Sequence, residues 1–253
     1  TEIDVAALIS SANICDENIN LVAGGSEHTY ELNGAISTSS TPESIINSML
    51  TSMIGSAVWS GGKWRIIAGA YYTPLITFDE GDLRSGFSVQ TRISRRENFN
   101  CIKGVFPSIA ENYIATDFPS VIGDGTTNAT MANYVAQDNG EQIFKTIELP
   151  FTVSSTMAQR IAKIELERAR QQITLSLPVK LVGLKARVGD VVNVTNERMG
   201  WNSKPFEVVG MNISYGESLG VDLDLRETAS EVFDWTSGTD EKDYDPAPNT
   251  NLP

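Results

Sequence analysis

The sequence predicts an α+β protein that is mainly antiparallel β, with small β-barrel or sandwich units and a few helices. Its last third contains apolar residues that alternate with polar ones, which is typical of strands with one buried face. A Gly-Gly pair between two apolar runs, in WSGGKW, indicates a tight hairpin. Three other stretches place apolar residues three and four positions apart, as helices do.

Two helices are predicted in the first 55 residues. Asp4 can cap the first helix, whose apolar face is Val5, Leu8, Ile9 and Ala12. Thr41 is the predicted N-cap of the second helix, Pro42 lies in its first turn and Gly55 lies at its end. The predicted buried face of this helix is Ile45, Ile46, Met49, Leu50 and Met53. The segment HTYELNG before it is predicted as a strand, which together with the helix and a hairpin would form a β-α-β-β unit.

The stretch WSGGKW raises a choice between a phosphate-binding loop and a turn. A Walker loop needs a glycine where this chain has Ala57 and a hydroxyl residue where it has Trp64. The tandem glycines can instead adopt the positive φ angles of a two-residue hairpin, which places Trp59 opposite Trp64. Residues 56–71 are therefore predicted to form a β-hairpin that packs by its tryptophan face, with Arg65 on the other face.

The most regular helical pattern follows the segment ELPFTVSS. Thr156 and Gln159 fit a capping box at its start. The predicted inward face consists of Ala158, Ile161, Ala162, Leu166 and Ala169. The opposite face, which we expect to be solvated, carries Arg160, Lys163, Glu167 and Arg170.

After this helix the apolar period changes from that of a helix to that of a strand. The segments TLSLPV, RVGDVVNVTN, PFEVVGMNISYG and LGVDLDLRET are predicted as antiparallel strands, with Val221, Leu223 and Leu225 facing inward. Residues 73–106 are predicted to add strands of one sheet, and residues 108–139 to form long loops.

These elements predict three regions. Residues 1–150 would form an α+β subdomain with long loops, and residues 151–235 the helix followed by a small antiparallel β-barrel. Residues 236–253 are acidic, contain proline and lack an apolar period, so they are predicted to be a linker.

Composition excludes several classes of function. The net charge of −13 argues against a nucleic-acid-binding surface, and no apolar stretch is long enough to span a membrane. Cys15 and Cys101 are predicted to be free thiols, and the single histidine, His28, is given no role.

Neighbouring carboxylates are the remaining candidates for chemistry. Asp222 and Asp224 share one strand face, and Asp79, Glu80 and Asp82 lie in a DEGD segment that could form a weak calcium site. Without an apolar pocket or further ligands, both sets are interpreted as solvated carboxylates. We therefore predict no catalytic, cofactor-binding or metal-binding residues, no cofactor, and no enzymatic activity.

Residues 30–235 resemble a family of phage tail proteins that also includes the host-specificity protein J of lambda-like siphophages. The resemblance is carried, in this order, by YELNGAISTSSTPESIINSMLTSMIGSAVWSGGKWRIIAGAY, AKIELERARQQITLSLPVKLVGLKARVGDVVNVTNERMGW, KPFEVVGM and LGVDLDLRETASEVFDW. It implies an internal fragment of a central tail-tip or baseplate hub protein, built from small β-barrels with inserted α/β pieces.

Such hubs are homotrimers around the tail axis, so the resemblance implies a homotrimer in the virion tail tip, assembled in the bacterial host cytoplasm. The implied partners are other tail proteins, namely distal tail, tape measure and tail fibre components, with only indirect contact to the host surface. The resemblance also implies that residues 236–253 lead towards a fibronectin-like module. The candidate contact regions are the loops at residues 108–139 and 196–204.

Two alternatives remain open at the level of sequence. The chain could be a tail-associated cell-wall hydrolase, which requires a glutamate in an apolar cleft. It could also be a glycan-binding module whose stacking platforms are Trp59, Trp64, Trp201 or Trp235.

Overall fold

The computed structural model describes residues 2–92, 94, 98–128, 130–215 and 219–245. Within these ranges the chain is α+β with mostly antiparallel strands, so the predicted fold class is confirmed. The strands form one sheet of four strands, one sheet of six strands and two separate two-stranded sheets. A hydrophobic core accompanies each of the two larger sheets.

The N-terminal part forms two helices and two small hairpins. In chain order the elements are α1 (Val5–Cys15), β1 (Asn18–Asn20), β2 (Ser26–His28), α2 (Pro42–Thr51), β3 (Ser56–Ser60) and β4 (Lys63–Ile67). Asp4 and Thr41 cap the two helices as predicted, because their side chains accept hydrogen bonds from the backbone N–H groups of Ala7 and Ser44.

The predicted β-α-β-β unit is wrong. The strand expected at HTYELNG ends at His28, because the N–H groups of Thr29 and Tyr30 bond to the carbonyls of Glu17 and Cys15 rather than to another strand. The pairs β1–β2 and β3–β4 belong to separate sheets in the part of the chain that the structure describes.

The β3–β4 hairpin has the predicted register, with Trp59 opposite Trp64. Gly61 and Gly62 have φ angles of 60° and 76°, as a type I′ turn requires. The prediction that the hairpin packs by its tryptophan face is wrong, because the two indoles remain 52% and 45% exposed. They pack on each other instead, edge to face, with ring centroids 5.3 Å apart. The side chain of Arg65 turns inward from the other face.

The next two strands are short and separate from the strand that follows them. β5 (Thr77–Phe78) and β6 (Ser88–Gln90) belong to the six-stranded sheet, whereas β7 (Cys101–Ser108) belongs to the four-stranded sheet. The prediction that residues 73–106 add strands to one sheet is therefore wrong. The outer positions of β5 and β6 explain their shortness, since each pairs with only part of one neighbour.

β7 is the central strand of the four-stranded sheet. The remaining elements of this region are β8 (Ile114–Asp117), β9 (Val121–Ile122), α3 (Tyr134–Gln137) and β10 (Phe144–Glu148). Strand β10 is parallel to β7, and Gly104 allows their close approach, because a Cβ atom there would lie 2.0 Å from the carbonyl oxygen of Ile147. Residues 108–139, predicted as loops, thus contain two short strands, a 3-10 turn at Ile109–Glu111 and the single helical turn α3.

Helix α4 (Ser155–Arg170) packs against the four-stranded sheet and contributes to its core. The N-cap is Ser154, whose Oγ accepts a hydrogen bond from the N–H of Met157 at 3.2 Å. The capping box predicted at Thr156 and Gln159 is therefore wrong by two residues. Gln159 instead exchanges two hydrogen bonds with the backbone of Lys242, at 2.9 Å and 2.8 Å.

The face of α4 that we expected to be solvated is buried. Arg160 and Lys163 are only 1% and 2% exposed, and Glu167 is also buried. Segments distant in sequence cover this face and supply a carboxylate for Arg160 and one for Lys163. Only Nη2 of the Arg160 guanidinium is hydrogen-bonded, and its buried Nε and Nη1 atoms have no partner among the described residues. The inward apolar face is confirmed, since Ala158, Ile161, Ala162 and Leu166 lie in the core.

The remaining long strands form the six-stranded sheet. They are β11 (Thr174–Val179), β12 (Val191–Asn196), β13 (Trp201–Tyr215) and β14 (Leu219–Glu227), in the spatial order β5-β12-β13-β14-β11-β6. Val221, Leu223 and Leu225 face the core as predicted. The described strands form no closed barrel, because the outer strands β5 and β6 do not pair with each other. Both outer strands come from residues 1–150, so the two predicted regions interleave.

Residues 229–245, here called the C-terminal strap, contain α5 (Ser237–Asp240) and lie across α4 and the four-stranded sheet. Asp240 is fully buried, and its carboxylate accepts a hydrogen bond from Lys163 Nζ at 2.9 Å. Tyr244 packs edge to face on Phe106, with ring centroids 5.4 Å apart. The described part of the predicted linker 236–253 is thus docked on the fold, and residues 246–253 lie outside the described residues.

Asp240→Ala should lower the free energy of unfolding by roughly 3–5 kcal/mol, because it removes the carboxylate that forms an ion pair with the buried Lys163 ammonium. The measurement is urea unfolding followed by circular dichroism. Asp243→Ala, an exposed position in the same strap, is the matched control and should change stability by less than about 0.5 kcal/mol. Equal effects of the two substitutions would contradict a stabilising role for the buried pair.

Candidate contact surfaces

The carboxylates that sequence analysis considered for metal binding are engaged by the fold. Asp79 Oδ1 accepts a hydrogen bond from the N–H of Gly81 at 2.7 Å, and Asp82 Oδ2 accepts one from the N–H of Asp79 at 3.2 Å. Together they cap a 3-10 turn at residues 80–82. In the described ranges, no three His, Cys, Asp or Glu side chains are grouped so that they could hold a metal ion.

The two aspartates on one face of β14 have different neighbours. Asp222 forms an ion pair with Arg84, while Asp224 lies beside Gly210 of the neighbouring strand. Asp222 is half-buried and Asp224 is exposed, so the pair lacks the apolar cleft that a hydrolase needs around its acid.

Two buried carboxylates have shifted pKa values for structural reasons. Burial raises the pKa of Glu167, although Tyr134, Lys163 and Arg170 favour its ionised form. The hydroxyl of Tyr134 donates a hydrogen bond to Glu167 Oε2 at 2.6 Å. This places the carboxylate against a phenol and two cations rather than beside a nucleophile.

Glu207 joins the two cores. Burial acts to raise its pKa, but Arg168 of α4 and Arg226 of β14 outweigh burial and lower the pKa below its usual value. The distances from Glu207 Oε2 to the two guanidinium groups are 3.2 Å and 2.7 Å. This interaction connects α4 to the six-stranded sheet, and sequence analysis missed it because none of the three residues is close to another in sequence.

The thiols and the histidine show no catalytic arrangement. Cys101 is buried and Cys15 half-buried, both are free, and burial raises the pKa of each thiol. His28 is exposed, with Nδ1 3.2 Å from the carbonyl oxygen of Asp16. Among the described helices, none has the length and apolar character needed to cross a bilayer.

The first predicted contact region, residues 108–139, exposes large apolar side chains at its tip. Ile109, Tyr113 and Ile114 form an apolar tip between β7 and β8, each at least 58% exposed. The backbone of Asn112 and Tyr113 is left-handed, which turns the chain sharply there. In the rest of the region exposed residues alternate with buried ones, which include Phe118, Val121 and Met131 of the core.

The second predicted contact region, residues 196–204, is the turn between β12 and β13. Met199 is exposed at this turn, and Trp201 packs on Phe206 with ring centroids 5.3 Å apart. Trp235 likewise contacts the protein, with the guanidinium of Arg160 5.6 Å from its ring centroid. Of the four tryptophans considered as stacking platforms, only Trp59 and Trp64 are largely exposed.

A third surface was missed by the sequence analysis. A groove of about 870 Å³, here called the α2 groove, lies between α2, the β3–β4 hairpin and both ends of α1. Its walls include Ile3, Leu32, Ile46, Met49, Met53 and Trp64. The apolar face of α2 was predicted to be buried, but no residue of α2 is buried in the structure. The helical pattern identified the apolar side chains correctly but could not tell whether another segment covers them.

A family model described as "Putative phage tail protein" matches residues 126–210. The matched range contains α3, β10, α4, β11, β12 and most of β13, and so includes parts of both large sheets. A comparison with curated proteins gives no match.

The fold is similar to those of several solved structures. A chain of the "Virion of native gene transfer agent (GTA) particle" is 12% identical, with a TM-score of 0.62 over 91% of this chain and 47% of that chain. The tail protein from Neisseria meningitidis MC58 is 17% identical, with a TM-score of 0.54 over 92% of this chain and 68% of that one. The 43 kDa tail protein of prophage MuSo2 from Shewanella oneidensis is 13% identical, with a TM-score of 0.51 over 79% and 57%. The chain thus spans about half the length of the first and last of these, and the likeness concerns the fold.

The Asp124 turn yields a prediction for acid stability. Burial acts to raise the pKa of Asp124, but hydrogen bonds from Thr127 and Thr126 outweigh it and lower the pKa to about 2. Because this folded-state pKa lies below the unfolded value of 3.8, the carboxylate stabilises the fold above that pH. This contribution is lost as the pH falls from 3.8 to about 2.

Asp124→Asn should therefore lose less stability than the wild type across that acid interval, because asparagine takes up no proton there. Urea unfolding at both ends of the interval measures the difference. Asp243→Asn, at an exposed position, is the matched control and should follow the wild type. A parallel loss in the wild type and Asp124→Asn would refute the role assigned to Asp124.

Proposed function

We propose that this chain is a structural component of a phage-type tail. The observation that carries the proposal is the fold shared over 91% of the chain with a chain of a gene transfer agent virion. The match of residues 126–210 to a phage tail family and the likeness to the tail proteins of prophage MuSo2 and of Neisseria meningitidis MC58 support the same class. Its task would be to hold neighbouring copies and other proteins together through complementary surfaces.

Within the tail, we propose a position in the tip or baseplate hub, as a homotrimer around the tail axis, with a part in host attachment and genome delivery. The resemblance to the family of protein J suggests this position, and the exposed apolar tip at residues 109–114 supplies one surface suited to protein contacts. The proposed partners are the distal tail, tape measure and tail fibre proteins, and the proposed location is the virion after assembly in the host cytoplasm.

We also propose that the chain is not an enzyme. The carboxylates that could have served in a hydrolase, Asp79, Asp82 and Asp222, are engaged by backbone groups or by an arginine. No observation specifically favours the hydrolase alternative.

The glycan-binding alternative is favoured by one observation, the exposed pair of Trp59 and Trp64. Their rings meet at 66°, so the two indoles do not form one flat platform. If they bound glycan, Trp59→Ala would abolish binding to host cell-wall fragments. A structural tail protein that lacks glycan affinity would show the same lack of binding before and after the substitution.

Immunogold electron microscopy of particles from the source lysate tests the structural proposal. Antibody raised against the chain should label one end of the tail, and mass determination of the released complex should give three copies. Antibody against the major tail-tube protein is the control, since it should label the full length of the tail. Intact tails without label at the tip, even after mild opening, would contradict the proposal.

A further inference from the structure

We propose that the α2 groove binds an amphipathic helix of a neighbouring tail protein, with lysine or arginine residues beside its apolar face. The inference rests on the proposed structural function and adds to it the chemistry of one partner. It concerns a surface other than the two loop regions that the sequence indicated.

The apolar walls of the groove are the first observation. Ile3, Leu32, Ile46 and Trp64 are each at least 40% exposed, although they lie within one concave surface. Isolated exposed apolar residues are ordinary, but a concave group of this size is typical of a binding surface. The thioethers of Met49 and Met53 add flexible, polarisable walls of the kind that adapt to a bound helix, so we infer that the groove is occupied in the assembled particle.

The charges at the groove point to a basic occupant. Two carboxylates, Glu31 and Glu43, lie at its rim, and neither forms an ion pair within the described part of the chain. No Lys or Arg is among the described residues that line it. A helix with basic residues flanking its apolar side chains would neutralise both carboxylates. A second copy of this chain is less suitable, because each copy carries a net charge of −13.

The backbone beside the groove argues for side-chain packing rather than strand addition. Residues 2–4 already pair with the edge of β4, where the N–H of Asp4 bonds to the Trp64 carbonyl at 2.9 Å. The N–H of Trp64 in turn bonds to the Glu2 carbonyl at 2.7 Å. The backbone edge of β4 is thus already paired at Trp64. A helix that packs its apolar face into the groove therefore fits better than a strand added to β4.

The test uses two synthetic helical peptides with the same leucine positions, one with lysine and one with glutamate at every polar position. The full chain is titrated with each peptide, and binding is followed by the anisotropy of a dye on the peptide and by Trp64 fluorescence. We expect the leucine-lysine peptide to bind and to shift Trp64 emission, because Trp64 lines the groove. The leucine-glutamate peptide should bind at least roughly tenfold more weakly.

Two variants separate the apolar and the charge contributions. Ile46→Lys places a charge on the apolar wall and should weaken binding of the leucine-lysine peptide roughly tenfold or more. Leu184→Lys is the matched control, because Leu184 is as exposed as Ile46 and does not line the groove, and it should leave binding unchanged. Glu31→Gln with Glu43→Gln should weaken binding roughly 2- to 30-fold and reduce its salt dependence. Circular dichroism checks that each variant is folded.

Several results would overturn the inference. Equal binding of both peptides, or unchanged binding by folded Ile46→Lys, would exclude a basic occupant of this groove. Absence of binding together with Trp64 shielded from quenchers would indicate that another part of the polypeptide covers it. Oligomers of the purified chain that Ile46→Lys dissociates would assign the groove to a second copy. Each of these results leaves tail-tip labelling intact, so failure here is distinguishable from failure of the structural proposal.

Discussion

The burial of charged residues on α4 is the constraint on which the rest of the structure depends. Removing an ammonium or guanidinium group from water costs several kcal/mol unless a counter-charge and hydrogen bonds replace the water. Arg160 obtains Glu27, Lys163 obtains Asp240, and Arg170 obtains Asp138. These acids lie in three segments far apart in sequence: the β1–β2 hairpin, the β9–β10 connection and the C-terminal strap. The ion pairs of one helix therefore hold all three segments in place.

The same helix also links the two cores. Its apolar face belongs to the core of the four-stranded sheet, while Arg168 reaches Glu207 on β13 of the six-stranded sheet. Because β5 and β6 precede β7 in the chain and join the other sheet, the polypeptide crosses between the cores more than once. The four-stranded sheet lies within residues 101–148, whereas the six-stranded sheet combines strands that precede this stretch with strands that follow it.

Local features of the fold could be predicted from the sequence, whereas the environment of those features could not. The caps at Asp4 and Thr41, the tandem-glycine hairpin and the inward residues of β14 depend on neighbouring residues and on the period of the pattern, so they were correct. The charged face of α4 was misjudged because a helical pattern does not show which distant segments cover it. The same limitation hid the α2 groove. The apolar face of α2 was predicted to be buried, but the structure leaves it only partly covered.

The docking of the C-terminal strap has a mechanical consequence. Gln159 and Lys163 lie one turn apart on α4, and both bind the strap, at Lys242 and Asp240. The aromatic contact of Tyr244 adds a third attachment on β7. A tensile load applied along the strap would reach Tyr244 first and then Lys242 and Asp240. Because these residues attach to β7 and α4, traction on the strap would be transmitted to the core of the four-stranded sheet.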